Sequence, residues 1–221
     1  MSRFYEPIQR RMRTLLFFIF LFFTSVIAAQ KQAVTAIAVK APDGKFRFVN
    51  SKTHVAVDSM LYDEAEAFVN GFAIVLKNNK FSFADGTGKL VAPVEFDAAR
   101  NFSHKLAAVE KNGKWGFINT AGKLIIPAHY TIAFDFNQPD VTVVLENKKW
   151  LLINNQGQII KLLDIAVCYG FKNGAAKIVK ENQEGILYPD GRITWGGTNA
   201  KPGNMPIPWH PNSNNLAEPC P

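Results

Sequence analysis

The residues with chemistry to offer are few and scattered. The segment Asp85 to Lys89, "DGTGK", has the glycines and lysine of a phosphate-gripping loop and the opening carboxylate of a calcium loop. It is too short for the first and lacks the spaced carboxylates of the second, so it reads as a turn. Asp63, Glu64 and Glu66 form the densest acidic group. Glycoside hydrolysis needs two carboxylates held about 5 to 10 Å apart. No second acidic group is spaced to oppose these, so they read as a solvated face. The four histidines, His54, His104, His129 and His210, share no i, i+4 spacing. A zinc site needs three or four converging ligands, so they read as surface side chains. Cys168 has no histidine placed to make it a nucleophile. The sequence therefore assigns no catalytic residue, no metal ligand and no cofactor, and leaves any ligand-binding residues unknown.

Trp115 is different, because its neighbourhood recurs. Phe46, Phe81, Trp115 and Trp150 are separated by 34 or 35 residues, with Glu184 next in the series. Gly88, Gly122, Gly157 and Gly191 keep the same step, as do Phe68, Phe102, Phe136 and Phe171. A fourth column is a short apolar strand: "FAIVL", "LAAVE", "VTVVL", "AAKIV". Fixed-period self-similarity is the mark of a repeat architecture. Large apolar groups interchange at the Trp115 position, which makes it a core aromatic and not a stacking platform. Gly116 shares its column with Arg47, Ser82 and Leu151.

Within one copy, "KWGFIN" alternates as a half-buried strand does. "NTAG" supplies a turn, with Asn opening it and Gly in the left-handed position. "KLIIP" returns, and Pro127 is expected to stop it. No segment has a convincing helical period, although Leu61 to Phe68 has room for one turn. A unit of this size cannot bury a core alone, so neighbours must stack. Five hairpins and five preceding strands are expected. The fold class is all-β: tandem hairpin repeats in an open, curved antiparallel array. The alternative is a closed, five-bladed propeller-like ring, although three strands per unit is short for a propeller blade.

The pattern "NGKWGFINTAGKLIIP", with weaker copies "NNKFSFADGTGKLVAP" and "NKKWLLINNQGQII", resembles the bacterial WG-repeat family. Only Trp115-Gly116 carries the full dipeptide. The resemblance implies a structural or binding module, often exported, with no shared catalytic residues to carry over.

The flanks set the context. Arg10, Arg11 and Arg13 precede the 15-residue apolar run Leu15–Ala29. A basic n-region, an apolar h-region too short to span a bilayer and small residues after it make a signal peptide. Domains are thus expected at 1–29 (signal peptide), 30–196 (repeat domain) and 197–221 (a tail rich in Pro, Asn and Gly). Of the chain's 25 Lys and Arg and 18 Asp and Glu, residues 1–29 hold four and one, which leaves a net +4 without a basic run. Nucleic acid is therefore not an expected partner. The two cysteines, Cys168 and Cys220, pair only if export and geometry both allow it, and both arrangements stay open. Trp195 and Trp209 lie outside the repeat columns and are the expected exposed aromatics, anchoring the tail as a cap. The sequence as a whole points to an exported, periplasmic or extracellular binding or scaffold protein for a protein, peptide or envelope glycan. The alternative is an envelope hydrolase acting on peptidoglycan or polysaccharide. Oligomeric state is not read from the sequence.

Mass spectrometry of the exported protein should find a mature start at Ala29 or Gln30, with no transmembrane span left after cleavage. An intact Met1 in the membrane fraction would overturn the signal-peptide reading.

Overall fold

A computed structural model describes residues 35–138 and 140–196. The expected signal peptide, Trp209, His210 and Cys220 lie outside these residues.

The described chain is all-β and forms five antiparallel sheets in sequence order. The first holds β1 (Ala36–Lys40) and β2 (Phe46–Asn50). The second holds β3 (Glu64–Ala65), β4 (Phe72–Lys77) and β5 (Lys80–Asp85). The third holds β6 (Ala98–Ala99), β7 (Leu106–Lys111), β8 (Lys114–Asn119) and β9 (Leu124–Tyr130). The fourth holds β10 (Ile132–Ala133), β11 (Val141–Glu146), β12 (Lys149–Asn154) and β13 (Ile159–Leu163). The fifth holds β14 (Val167–Lys172), β15 (Ala175–Lys180), β16 (Gln183–Leu187) and β17 (Ile193–Trp195). Every pairing is between strands adjacent in sequence, and the first sheet shares no strand with the last. Among the described residues the two ends therefore do not complete one unit, and the array is open.

Four features differ from the sequence reading. The last three units have four strands, because part of each irregular connection pairs on the far side of the third strand. Leu61–Phe68 is not helical; Glu64 and Ala65 pair with β4 instead. Pro127 does not stop its strand. It sits inside β9, within the register shift between Ile126 and Tyr130, where an edge strand tolerates a missing N–H. Finally, the strands are not half-buried. Four successive residues are buried in β7, β8, β11 and β12.

The last difference explains the core. Trp115 and Phe117 on one face of β8 pack with Phe136, Val144, Leu151 and Ile153 of the following unit. Ile118, on the other face, packs with Ile74, Phe83 and Phe102 toward the preceding one. A sheet buried on both faces reads as a continuous apolar run and not as alternation. The Phe column connects the layers edge to face: Phe83 meets Phe102, and Phe117 meets Phe136, each with ring centroids 4.9 Å apart. Such pairs add about 0.5–1.5 kcal/mol beyond their area.

Two kinds of turn fix the register. The Asn-x-x-Gly turns form as expected: Asn119 Oδ1 accepts the N–H groups of Ala121 and Lys123 at 3.1 and 3.0 Å, and Gly122 takes φ +73°. In the first unit His54, at φ +56°, occupies this place in a loop one residue longer, and its N–H bonds the Asn50 carbonyl. The second kind joins the long strands. Asn78-Asn79, Asn112-Gly113 and Asn147-Lys148 all have positive φ at both residues, the geometry whose twist suits a two-residue hairpin.

Gly122 is also an inter-unit seat. A Cβ there would lie 1.7 Å from the Val91 carbonyl oxygen, whereas one at Gly113 would meet nothing within 4 Å. Both residues have positive φ, so the pair separates backbone strain from packing. Gly113→Ala should cost roughly 1 kcal/mol for the strain alone. Gly122→Ala should cost at least about 2 kcal/mol more, read as a fall in the denaturation midpoint. Equal losses would show that the seat is not a tight contact.

Candidate binding surface

The repeat aromatics are withdrawn from solvent. Trp115 is 5% exposed, with the Arg100 guanidinium 4.8 Å from its ring centroid. Trp150 is buried and donates its indole N–H to the Ala166 carbonyl at 3.1 Å. Gly116 is present because the returning strand bulges onto it. A Cβ there would lie 2.6 Å from the Ile126 carbonyl oxygen. One repeat earlier, Ser82 meets the equivalent Ala92 carbonyl by donating a 2.6 Å hydrogen bond. The column therefore tolerates a side chain that hydrogen-bonds to this carbonyl.

The polar candidates resolve into structural roles. Asp85 Oδ1 accepts the N–H groups of Thr87 and Lys89, so "DGTGK" is the turn of its hairpin. Asp63 fastens a turn: it pairs with Lys45 at 3.0 Å and accepts the Asn78 N–H at 2.7 Å. Asp97 repeats this arrangement with Lys80 and the Asn112 N–H. The lysine bonds, then the backbone bonds, hold both carboxyls below the usual range. The sequence signal was the spacing of Asp63 and Asp97, 34 residues, which is the repeat step. Glu66 is pushed up by burial and by Glu64.

His104 bonds through Nδ1 to the Phe136 carbonyl of the next unit. Asn70 and Asn137 do the same to the carbonyls of Phe102 and Phe171, at 2.7 and 3.0 Å. His54 and His129 are exposed. Cys168 is buried and has no disulfide partner among the described residues, and burial pushes its thiol up to about 11, which makes it a poor nucleophile. Asp135 is raised by burial, opposed by Arg100 at 3.7 Å. Among the described residues no group of three or more His, Cys, Asp or Glu side chains converges on one point.

What is exposed instead is a rim. Leu124 and Ile125 on β9, Ile159, Ile160 and Leu162 on β13, and Trp195 on β17 are between 36% and 61% exposed. These strands are the edges of three successive sheets, so unpaired backbone groups lie beside exposed apolar side chains. Natural proteins blunt such edges with proline, bulges, charge or short length. Pro127 and two register shifts blunt β9, and β17 has only three residues. β13 has neither proline nor glycine but is bulged at Ile160, and the Nζ of its one charge, Lys161, is tied to the Gly191 carbonyl at 2.6 Å. Trp195, expected to be exposed, lies over Gly185, where a Cβ would come within 2.6 Å of the ring. An open cleft of about 380 Å³ separates it from the Lys177–Glu184 ion pair. Periodicity within one repeat could not reveal the rim, because an apolar returning strand looks like core until its sheet position is known.

The sequence matches a family described as the WG containing repeat in three consecutive copies, at residues 47–81, 81–115 and 115–150. No curated protein matches the chain. Among solved structures it is similar to KlHsv2 with loop 6CD replaced by a Gly-Ser linker, at 11% identity and TM-score 0.45, covering 72% of this chain and 61% of that one. It is similar to BamB from Moraxella catarrhalis at 13% identity and TM-score 0.33, covering 76% and 56%. It is also similar to the computationally designed Ika4 protein at 13% identity and TM-score 0.29, covering 73% and 84%. The chain thus spans less than two thirds of KlHsv2 and of BamB.

Trp115→Ala should destabilise the fold by about 3–5 kcal/mol, and Trp115→Phe by much less, since Phe81 fills the same column. An unchanged melting curve for the alanine variant, with loss of ligand binding, would make Trp115 a recognition residue instead.

Proposed function

We propose that the chain, which matches the WG containing repeat over residues 47–150, is an exported, non-catalytic binding or scaffold module that holds a protein or peptide on the rim of its returning strands. A stacked β-repeat array suits binding or scaffolding in general, because it presents an extended surface on a rigid frame. The observation that carries the finer reading is the run of exposed apolar residues on β9, β13 and β17. Contiguous exposed apolar surface beside polar residues marks interaction sites. Edge backbone adds the main-chain hydrogen bonds by which extended peptides join a sheet. Export is supported by the Arg10, Arg11, Arg13 and Leu15–Ala29 pattern. The non-catalytic reading is supported by the roles found for the polar candidates: Asp63, Asp85 and Asp97 serve turns, and Cys168 is raised away from thiolate chemistry.

The test is capture from an envelope fraction by the mature chain, in parallel with an Ile125→Glu, Ile159→Glu, Leu162→Glu variant of unchanged melting temperature. The native chain should retain a specific partner and the variant should lose most of it. Equal capture by both would move the site off the rim. Release of soluble fragments from peptidoglycan or polysaccharide by the native chain would favour an envelope hydrolase.

A further inference from the structure

We propose that the outward faces of the first and fifth sheets are complementary, and that a second copy of this chain docks there head to tail, with Glu184 of one copy against Arg47 of the other. This goes beyond the binding reading and stands without it, because the contact lies on the sheet faces and not on the rim of returning strands.

Three observations lead there. First, an internal junction shows which columns pack together. Residues opposite one another in a strand pair share a face. Trp115 and Phe117 of the third unit face the fourth, where Leu151 and Ile153 belong to the same apolar cluster. The columns of Trp115 and Phe117 thus pack on the columns of Leu151 and Ile153.

Second, two sheet faces present those columns with no described unit against them. The face of the fifth sheet turned from the fourth carries Glu184 in the Trp115 column and Ile186 in the Phe117 column, with Val179 and Lys177 opposite them. The face of the first sheet turned from the second carries Arg47 in the Leu151 column and Val49 in the Ile153 column, with Val39 and Ile37 opposite them. Ile37 and Ile186 are 39% and 36% exposed, and Val39, Arg47, Val179 and Glu184 are half-buried.

Third, each face breaks its column with a charge, and the two charges are opposite. Glu184 follows Phe46, Phe81, Trp115 and Trp150, whereas Arg47 stands where later units have Ser82, Gly116, Leu151 and Gly185. A lone charge at an internal junction would be buried without a partner, which is costly. Stacked as the internal units are, the fifth sheet of one copy and the first sheet of another bring this carboxylate to this guanidinium. Lys177 takes Oε1 of Glu184 at 2.6 Å, which leaves Oε2 to accept from Arg47. Arg47 enters no ion pair among the described residues. Around the charges, Val179 and Ile186 meet Ile37 and Val39. The two faces differ, so the contact is heterologous, and repeating it makes a ring or a continuous stack. In the lone chain the same charges keep both faces compatible with water.

Sedimentation velocity of the mature full-length chain over a range of concentrations tests the proposal. The native chain should associate as its concentration rises. Arg47→Glu alone, or Glu184→Arg alone, should weaken association about ten-fold or more, because like charges then oppose. A chain carrying both substitutions should regain it, and so should an equimolar mixture of the two single variants. Recovery in the mixture also shows that both variants fold. The rim variant Ile125→Glu, Ile159→Glu, Leu162→Glu should associate as the native chain does. A native chain that stays monomeric at every concentration would overturn the proposal and leave the rim reading untouched. Association unchanged by either reversal, or weakened without recovery in the double variant and the mixture, would overturn it too. Loss in the rim variant would move the contact to the returning strands. A monomer whose melting temperature falls in each single variant and recovers in the double one would show that the two faces meet within one chain. Either of these last results removes the second copy from the faces.

Discussion

The fold depends on face-to-face contact between successive sheets. No unit has a core of its own. Its apolar residues are shared with the unit before and the unit after, through strands buried on both faces. That constraint explains why the Trp115 column must be large, why Gly122 has no room for a methyl group, and why the Phe column recurs at the step of the hairpins. Each is a fit between neighbours, so each repeats at the period of the stack and not of the strand.

The ends of such a stack need a different surface. In the fourth unit the face toward the fifth carries Val143 and Trp150. At the equivalent places the fifth carries Lys177 and Glu184, paired at 2.6 Å. A terminal repeat with a polar outer face is what keeps a repeat array soluble. Glu184, the odd member of an aromatic column in the sequence, is accommodated by its ion pair with Lys177. The open cleft next to Trp195 borders the same ion pair.

Much of this was readable in the sequence, for a physical reason. Turn chemistry is local: Asn119 and Gly122 announce their geometry within four residues. Repeat spacing is also local evidence, and it placed Trp115, Phe117 and Phe136 in the core. What stayed hidden was whatever depends on the neighbouring layer. "KWGFIN" alternates in residue size, so it looked half-buried, although both faces are covered. Pro127 looked like a strand stop, because its tolerance comes from β9 being an edge. Asp63 looked like part of a solvated acidic face, because its partners Lys45 and Asn78 are brought in by two different turns. The two-residue connections between long strands were missed as hairpins, since Asn147-Lys148 lacks the glycine that usually marks them.

The hydrogen bonds from Asn70, His104 and Asn137 to successive Phe carbonyls run along the side of the stack where the short first strands lie. The returning strands lie on the opposite side, tied by apolar contact, by the close seat of Gly122 on Val91 and by the Lys161–Gly191 bond. Successive units are thus held on both sides of the sheets, so a ligand lying across several returning strands would meet the curvature of the stack as well as its chemistry.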